Sequence, residues 1–349
     1  MNDASLLIPD GDILGHAAFT DALSQSMASG RVAHGWLLTG PQGIGKSIMA
    51  AMAAAWLLSE NRPQGSGSFA FDRGDPGANL VIRGSHPDLM FVRPQTEDNK
   101  SGQIKIDQIR KLSSFMATKP GRGGWRVAVI DSMDAVNRNG ANALLKLLEE
   151  PPERAMVILV ASKPGRLPPT IRSRCRLVRL APLDIGSCQS ILAATLDEEE
   201  SDRLAALSHL AEGAPGRGVA LAESQSDDLY RATCSLMAQP HLDEAALATL
   251  CDKWGRGGAA GQAARDGAIW LVGRLLRLAA LKAGNGVTGP QCDFETPAIT
   301  RLAAGHTAAD LAEAHSKFLH SASMMDGLYL DFGHFLSREL IAIHRKSLP

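Results

Sequence analysis

The sequence predicts an α/β P-loop domain, a parallel sheet flanked by helices, followed by two helical regions. Three observations carry that reading. The run Gly40-Pro41-Gln42-Gly43-Ile44-Gly45-Lys46-Ser47 is a complete phosphate-binding loop. Between residues 36 and 180 short apolar runs alternate with helical patterns, which is how parallel strands and their covering helices are written. After residue 184 the strand-like runs stop and only helical periodicity remains.

Taken in order, residues 36–39 read as a buried strand feeding the loop, and residues 48–58, rich in Ala, Met and Leu, as the helix behind it. Backbone N–H groups surround a pyrophosphate only where no side chain obstructs them, hence Gly40, Gly43 and Gly45. Lys46 would reach the β and γ phosphates of ATP, and Ser47 would ligate Mg2+ at the positive end of the helix. Residues 61–84, rich in Gly, Pro, Ser and Asp, read as a surface insertion with little regular structure. Further strands are expected at 88–92, 127–130, 156–161 and 176–180.

The 127–130 strand ends in Asp131, the carboxylate expected in the Mg2+ shell. Hydrolysis also needs a group to orient and deprotonate water, commonly a glutamate in the next position. Here that position is Ser132, whose hydroxyl is a poor base. Asp134, at an expected helix start, reads as an N-cap. The combination implies a nucleotide held better than it is cleaved.

A chain of 349 residues exceeds what one core usually organises. Its 36 basic and 37 acidic residues give a net charge of −1, which excludes a globally basic nucleic-acid binder. A local patch remains open at Lys105, Arg110, Lys111, Lys119, Arg122 and Arg126 against Asp107, as does a plain solvated helix face with a basic loop. The five cysteines, Cys175, Cys188, Cys234, Cys251 and Cys292, form no C-x-x-C pair, so a reducing cytoplasm and no structural zinc are expected. No stretch is apolar enough to span a membrane and the start of the chain lacks a basic signal region. His16, His34 and His86 lie far apart without a second ligand at short spacing and read as structural or solvent-facing.

Further along, Asp131-Ser132-Met133-Asp134-Ala135-Val136-Asn137, then Asn142-Ala143-Leu144-Leu145-Lys146-Leu147-Leu148-Glu149-Glu150-Pro151-Pro152, then Ser173-Arg174-Cys175, resemble the AAA+ subunits of DNA polymerase clamp loaders. Gly15-His16, His34-Gly35-Trp36-Leu37-Leu38, Gly84-Ser85-His86-Pro87-Asp88 and Ile106-Asp107-Gln108-Ile109-Arg110 resemble the delta-prime branch of that family in bacterial DNA polymerase III. The likeness runs from about residue 13 to 221. It implies an AAA+ domain at 1–182, a helical lid at 183–225 and a helical collar at 226–349. By the same resemblance Arg174 is a finger acting in trans on a neighbouring ATPase, Ser162 a first sensor and Arg217 a second sensor for this chain's own nucleotide. The implied partners are motor ATPases and a delta subunit in a hetero-oligomeric ring, the sliding clamp and primed DNA. The implied setting is a polymerase holoenzyme whose polymerase site lies in another chain. Family members commonly carry a four-cysteine zinc module before Ser85; residues 61–84 contain no cysteine.

Residue chemistry alone leaves alternatives. Arg174 could pair with Glu149 or Glu150, and Ser162 could merely satisfy a strand end. Trp270, Leu271, Leu275 and Leu276 could pack against sister helices or form a private core. An active motor ATPase of the same fold, a small-molecule P-loop kinase and an interaction protein with a relic loop are the competing functions.

Overall fold

The computed structural model describes residues 8, 14–62, 69, 71–94, 102–255, 259–286, 289, 291–325 and 331–346. It divides into two compact units, Met1–Leu183 and Asp184–Pro349.

The first unit runs α1 (Ala17–Ala28), β1 (Gly35–Thr39), α2 (Lys46–Leu58), α3 (Pro76–Ile82), β2 (Leu89–Val92), α4 (Ile106–Met116), β3 (Arg126–Asp131), α5 (Arg138–Glu149), β4 (Ala155–Ala161), α6 (Pro169–Arg172) and β5 (Arg176–Arg179). The five strands are all parallel in the order β2-β3-β4-β1-β5. Strands β1 and β4 are buried at every position, as central strands covered on both faces must be. Alternate side chains divide between the two faces. Leu37, Ala128, Ile130, Val157 and Leu159 join a core with α4 and α5, whose Ile109, Leu112, Met116 and Ala141, Leu144, Leu147, Leu148 recur at helical spacing. On the other face Phe19, Trp36, Trp56 and Phe69 stack edge to face or tilted, with centroids 5.3–5.7 Å apart. Helix α2 is buried almost throughout, which fixes the loop that precedes it.

The segment expected to be irregular contains α3, while residues 63–68 and 70 lie outside the described residues. Asp75 caps this helix by accepting from Gly77 and Ala78 N–H, and Pro76 occupies its first turn. The same carboxylate accepts from Glu60 and Asn61 N–H at 3.0 and 2.9 Å, tying the end of α2 to the start of α3. A Cβ on Gly77 would lie 2.1 Å from the Leu58 carbonyl oxygen, so glycine is what permits this close approach.

Of the candidate basic patch, Arg126 is not at the surface. Its Nη2 donates to Asp88 Oδ1 at 2.8 Å, Arg110 pairs with Asp107, and Arg122 pairs with Glu60. Lys105, Lys111 and Lys119 are exposed.

The second unit is helical: α7 (Ile185–Leu196), α8 (Ser201–Ala211), α9 (Pro215–Glu223), α10 (Ser226–Met237), α11 (Glu244–Trp254), α12 (Ala259–Ala283), α13 (Thr296–Gly305), α14 (Ala308–Met325) and α15 (Phe332–Lys346). One core runs from Cys188 to Ile343, so the boundary expected at 225/226 falls inside a single compact unit. Leu271, Leu275 and Leu276 are interior to that core and are not spare surface. Among the described residues no helix is long and apolar enough to cross a membrane. All five cysteines are buried free thiols, and burial pushes Cys175, Cys251 and Cys292 up to about 12.

Candidate nucleotide site

The loop leaves the carboxyl end of β1, between β4 and β5, where open parallel sheets bind ligands. Gly40 has φ 151° and a Cβ there would lie 2.5 Å from the Leu180 carbonyl oxygen. Gly43 and Gly45 also take positive φ, 80° and 98°. Lys46 is buried, and its Nζ donates to the Gly40 and Pro41 carbonyls at 2.9 and 2.6 Å. The ammonium is thus held within the curl of the loop, where an anion would meet it.

Ser47 Oγ donates to Asp131 Oδ1 at 2.6 Å, although 84 positions separate them in sequence. A hydroxyl and a carboxylate brought this close are hard oxygen donors and fit Mg2+. The second oxygen of Asp131 faces the guanidinium of Arg93, with Nε 3.6 Å from Oδ2. Sequence reasoning missed Arg93. Its signal lay in the strand order, since Val92 is registered with Ile130 and the next residues are therefore neighbours.

Ser132 adopts φ 79° and follows Asp131 directly into a short 3-10 turn, Met133–Ala135. Asp134 lies in that turn and serves as no N-cap. Its carboxylate accepts from Ser162 N–H at 2.6 Å and Lys163 N–H at 3.1 Å, holding the end of β4. Ala161 is registered with Thr39, so Ser162 emerges beside the start of the loop.

His16 is built into the same region. Its Nε2 lies 2.9 Å from the Ile44 carbonyl, an obligate acceptor, so Nε2 carries the proton. Burial pulls the imidazole below its usual value against that carbonyl, and Nδ1 is buried without a hydrogen-bond partner among the described residues. His34 Nδ1 bonds the Ala155 carbonyl and buried His86 accepts from Asp88 N–H, both within the fold.

Arg174 stands apart from this cluster. It precedes β5, and its own carbonyl borders Gly35 at the start of β1, the end of the sheet opposite the loop. Its guanidinium pairs with Glu149 at 2.6 Å and donates to the Thr170 carbonyl at 3.0 Å. Arg217 belongs to the second unit, where it lies 3.5 Å from the Trp270 ring centroid and donates to the Ala211 carbonyl at 2.8 Å. Burial pushes its guanidinium down to about 10.

Comparison with known proteins agrees with this geometry. Residues 15–184 match the family described as DNA polymerase III, delta subunit. A DNA polymerase III subunit delta' from Pseudomonas aeruginosa is 37% identical over 185 residues, 52% of this chain and 54% of that protein. The corresponding delta' subunit of Escherichia coli is 31% identical over 218 residues, 62% of this chain and 63% of that protein. The Escherichia coli tau subunit is 31% identical over 206 residues, 58% of this chain and 30% of that protein. The matched segment therefore spans less than two thirds of each of these relatives. With a parallel sheet and a phosphate loop at its carboxyl edge, this chain is similar, through residues 15–184, to delta, delta' and tau subunits of DNA polymerase III.

Proposed function

We propose that the chain is a delta-prime-type subunit of a cytoplasmic DNA polymerase III clamp loader. It binds ATP with Mg2+ weakly or statically and supplies Arg174 in trans to a neighbouring ATPase. In a hetero-oligomeric ring with motor ATPases and delta, it helps load the sliding clamp on primed DNA. Gly40, Gly43, Gly45 and Lys46 would cradle the phosphates, while Ser47 and Asp131 would hold Mg2+, which supplies charge neutralisation at the phosphates. Ser162 and Arg217 are assigned as sensors.

The observation that carries the trans assignment is a separation. Arg174 lies at the opposite end of β1 from this chain's own loop, and the five-residue strand spans on the order of 16 Å. An arginine side chain does not bridge that length, so any phosphate it meets belongs to another subunit. Its present partner Glu149 is 46% exposed and Arg174 itself 34% exposed, so a stronger anion can exchange for the carboxylate.

Static binding is supported at the other end. Ser132 occupies the position of the missing base, and Asp134, the nearest substitute, already accepts two backbone N–H groups. The likeness to tau favours a second reading, an active motor of the same fold. ATP affinity and turnover of the isolated chain separate the two. The proposal expects binding tighter than about 1 mM, beyond about −4 kcal/mol, without turnover; robust turnover would make the chain a motor.

The helical unit leaves Leu281, Leu319 and Met324 exposed among its described residues, which supports a collar role through contacts with sister subunits.

A further inference from the structure

Asp131 is more heavily engaged than a metal-side carboxylate requires. One oxygen accepts the Ser47 hydroxyl at 2.6 Å and the other faces Arg93 at 3.6 Å. The arginine is held there by the sheet: Arg93 directly follows β2, and β2 and β3 are registered through Val92 and Ile130. Its guanidinium lies 4.6 Å from the Phe91 ring centroid, two residues earlier on the same strand face. The side chain is 46% exposed and Asp131 only 17%, so the cation sits at the mouth of the site with the carboxylate behind it. A fixed positive charge there has two consequences. It neutralises part of the field that would attract Mg2+ to Asp131, and it offers its own charge to an incoming polyphosphate.

We propose that Arg93 is a built-in counter-charge of the nucleotide site, a positioning residue that makes polyphosphate binding less dependent on Mg2+. The inference rests on the proposed nucleotide site and adds a cation to it. Arginine is suited to the task because its planar fork pairs with either carboxylate or phosphate. When nucleotide enters, the guanidinium exchanges Asp131 for phosphate oxygens or continues to screen it; in both cases it does part of what the metal would do. This also fits a subunit that holds nucleotide, since a metal weakly engaged by its carboxylate is poorly placed to assist cleavage.

The test is ATP affinity by calorimetry in excess Mg2+ and in excess EDTA, for the wild-type chain, Arg93→Gln, Arg93→Lys and Lys46→Ala. The quantity of interest is the ratio of the EDTA to the Mg2+ dissociation constant. Removing the charge should raise that ratio by roughly threefold or more, the scale of a partly exposed ion pair, with Arg93→Lys in between. A merely structural role would shift both affinities together and leave the ratio unchanged, which overturns the proposal. If the wild type bound no ATP in either condition, or Lys46→Ala bound as well as wild type, the nucleotide site itself would be wrong and the Arg93 role would fall with it. A Lys46-dependent affinity with an unmoved ratio would remove Arg93 alone.

Discussion

Two arginine-centred regions of this molecule are built from the same chemistry and sealed to opposite degrees. In the helical unit Arg274 is 2% exposed and Glu295 is 0% exposed. Arg274 reaches both carboxylate oxygens of Glu295 at 2.9 and 3.1 Å and Glu212 at 2.6 Å. Tyr230 Oη and Cys292 N–H complete Glu295 at 2.9 and 2.7 Å. Burial opposes the charge on Arg274, but these carboxylates outweigh it and keep the guanidinium protonated. In the sheet unit Arg174 and Glu149 form a similarly short pair at a third to a half exposure. The first arrangement is centred on a buried arginine and a buried carboxylate; the second, partly exposed, can be opened at little cost. Charge that serves a partner must remain releasable, and of these two regions the Arg174 corner has that property.

Breaking the sealed region should give the largest effect on folding. Arg274→Ala strands the buried Glu295 carboxylate and is expected to destabilise the chain by about 3–5 kcal/mol in denaturant titration. A loss under 1 kcal/mol would mean the network is not the sealed element described. Next in size is Lys46→Ala, which removes a charge-assisted contact with phosphate worth about 2 kcal/mol. ATP affinity measured by calorimetry should fall by roughly thirtyfold.

A smaller, pH-dependent effect tests buried charge in the sheet unit. Burial alone would raise the Asp88 carboxyl, but Arg126 and the Gly121 and Arg122 amides outweigh it and hold it below the usual carboxylate range. A depressed folded value contributes stability above the unfolded value of about 4 that is lost as pH falls through the folded one. Stability of wild type should therefore decline below about pH 4 more steeply than that of Asp88→Asn. Equal slopes would contradict the pairing. The smallest effect sharpens the contrast directly. Arg174→Ala should change folding stability by less than about 1 kcal/mol, as exposed pairs do.

The strands were legible because they are short, mostly apolar runs bounded by turn residues; the observed β1, β2, β4 and β5 differ from the expected spans by one residue at one end and β3 by one residue at each end. The phosphate loop was legible because its geometry demands glycine at fixed places. Helix α3 was hidden inside loop-like composition; its signal was the Asp75-Pro76 pair, whose capping depends on contacts with Glu60 and Asn61 that pattern alone does not display. Arg126 read as surface charge because its partner Asp88 is 38 residues away and meets it only through strand pairing. Arg93 was invisible for the same reason, since strand order decides which residue stands beside Asp131. Asp134 was misread as a cap because its acceptor role spans two strand ends.

The most direct test of the central claim is the ATPase rate of the motor subunits assembled with this chain, the sliding clamp and primed DNA, comparing wild type with Arg174→Ala. If Arg174 serves a neighbour, the variant should assemble and bind its own ATP normally while the rate falls by about a thousandfold at the site it faces. An unchanged rate from a fully assembled complex would show that Arg174 acts on no neighbouring phosphate.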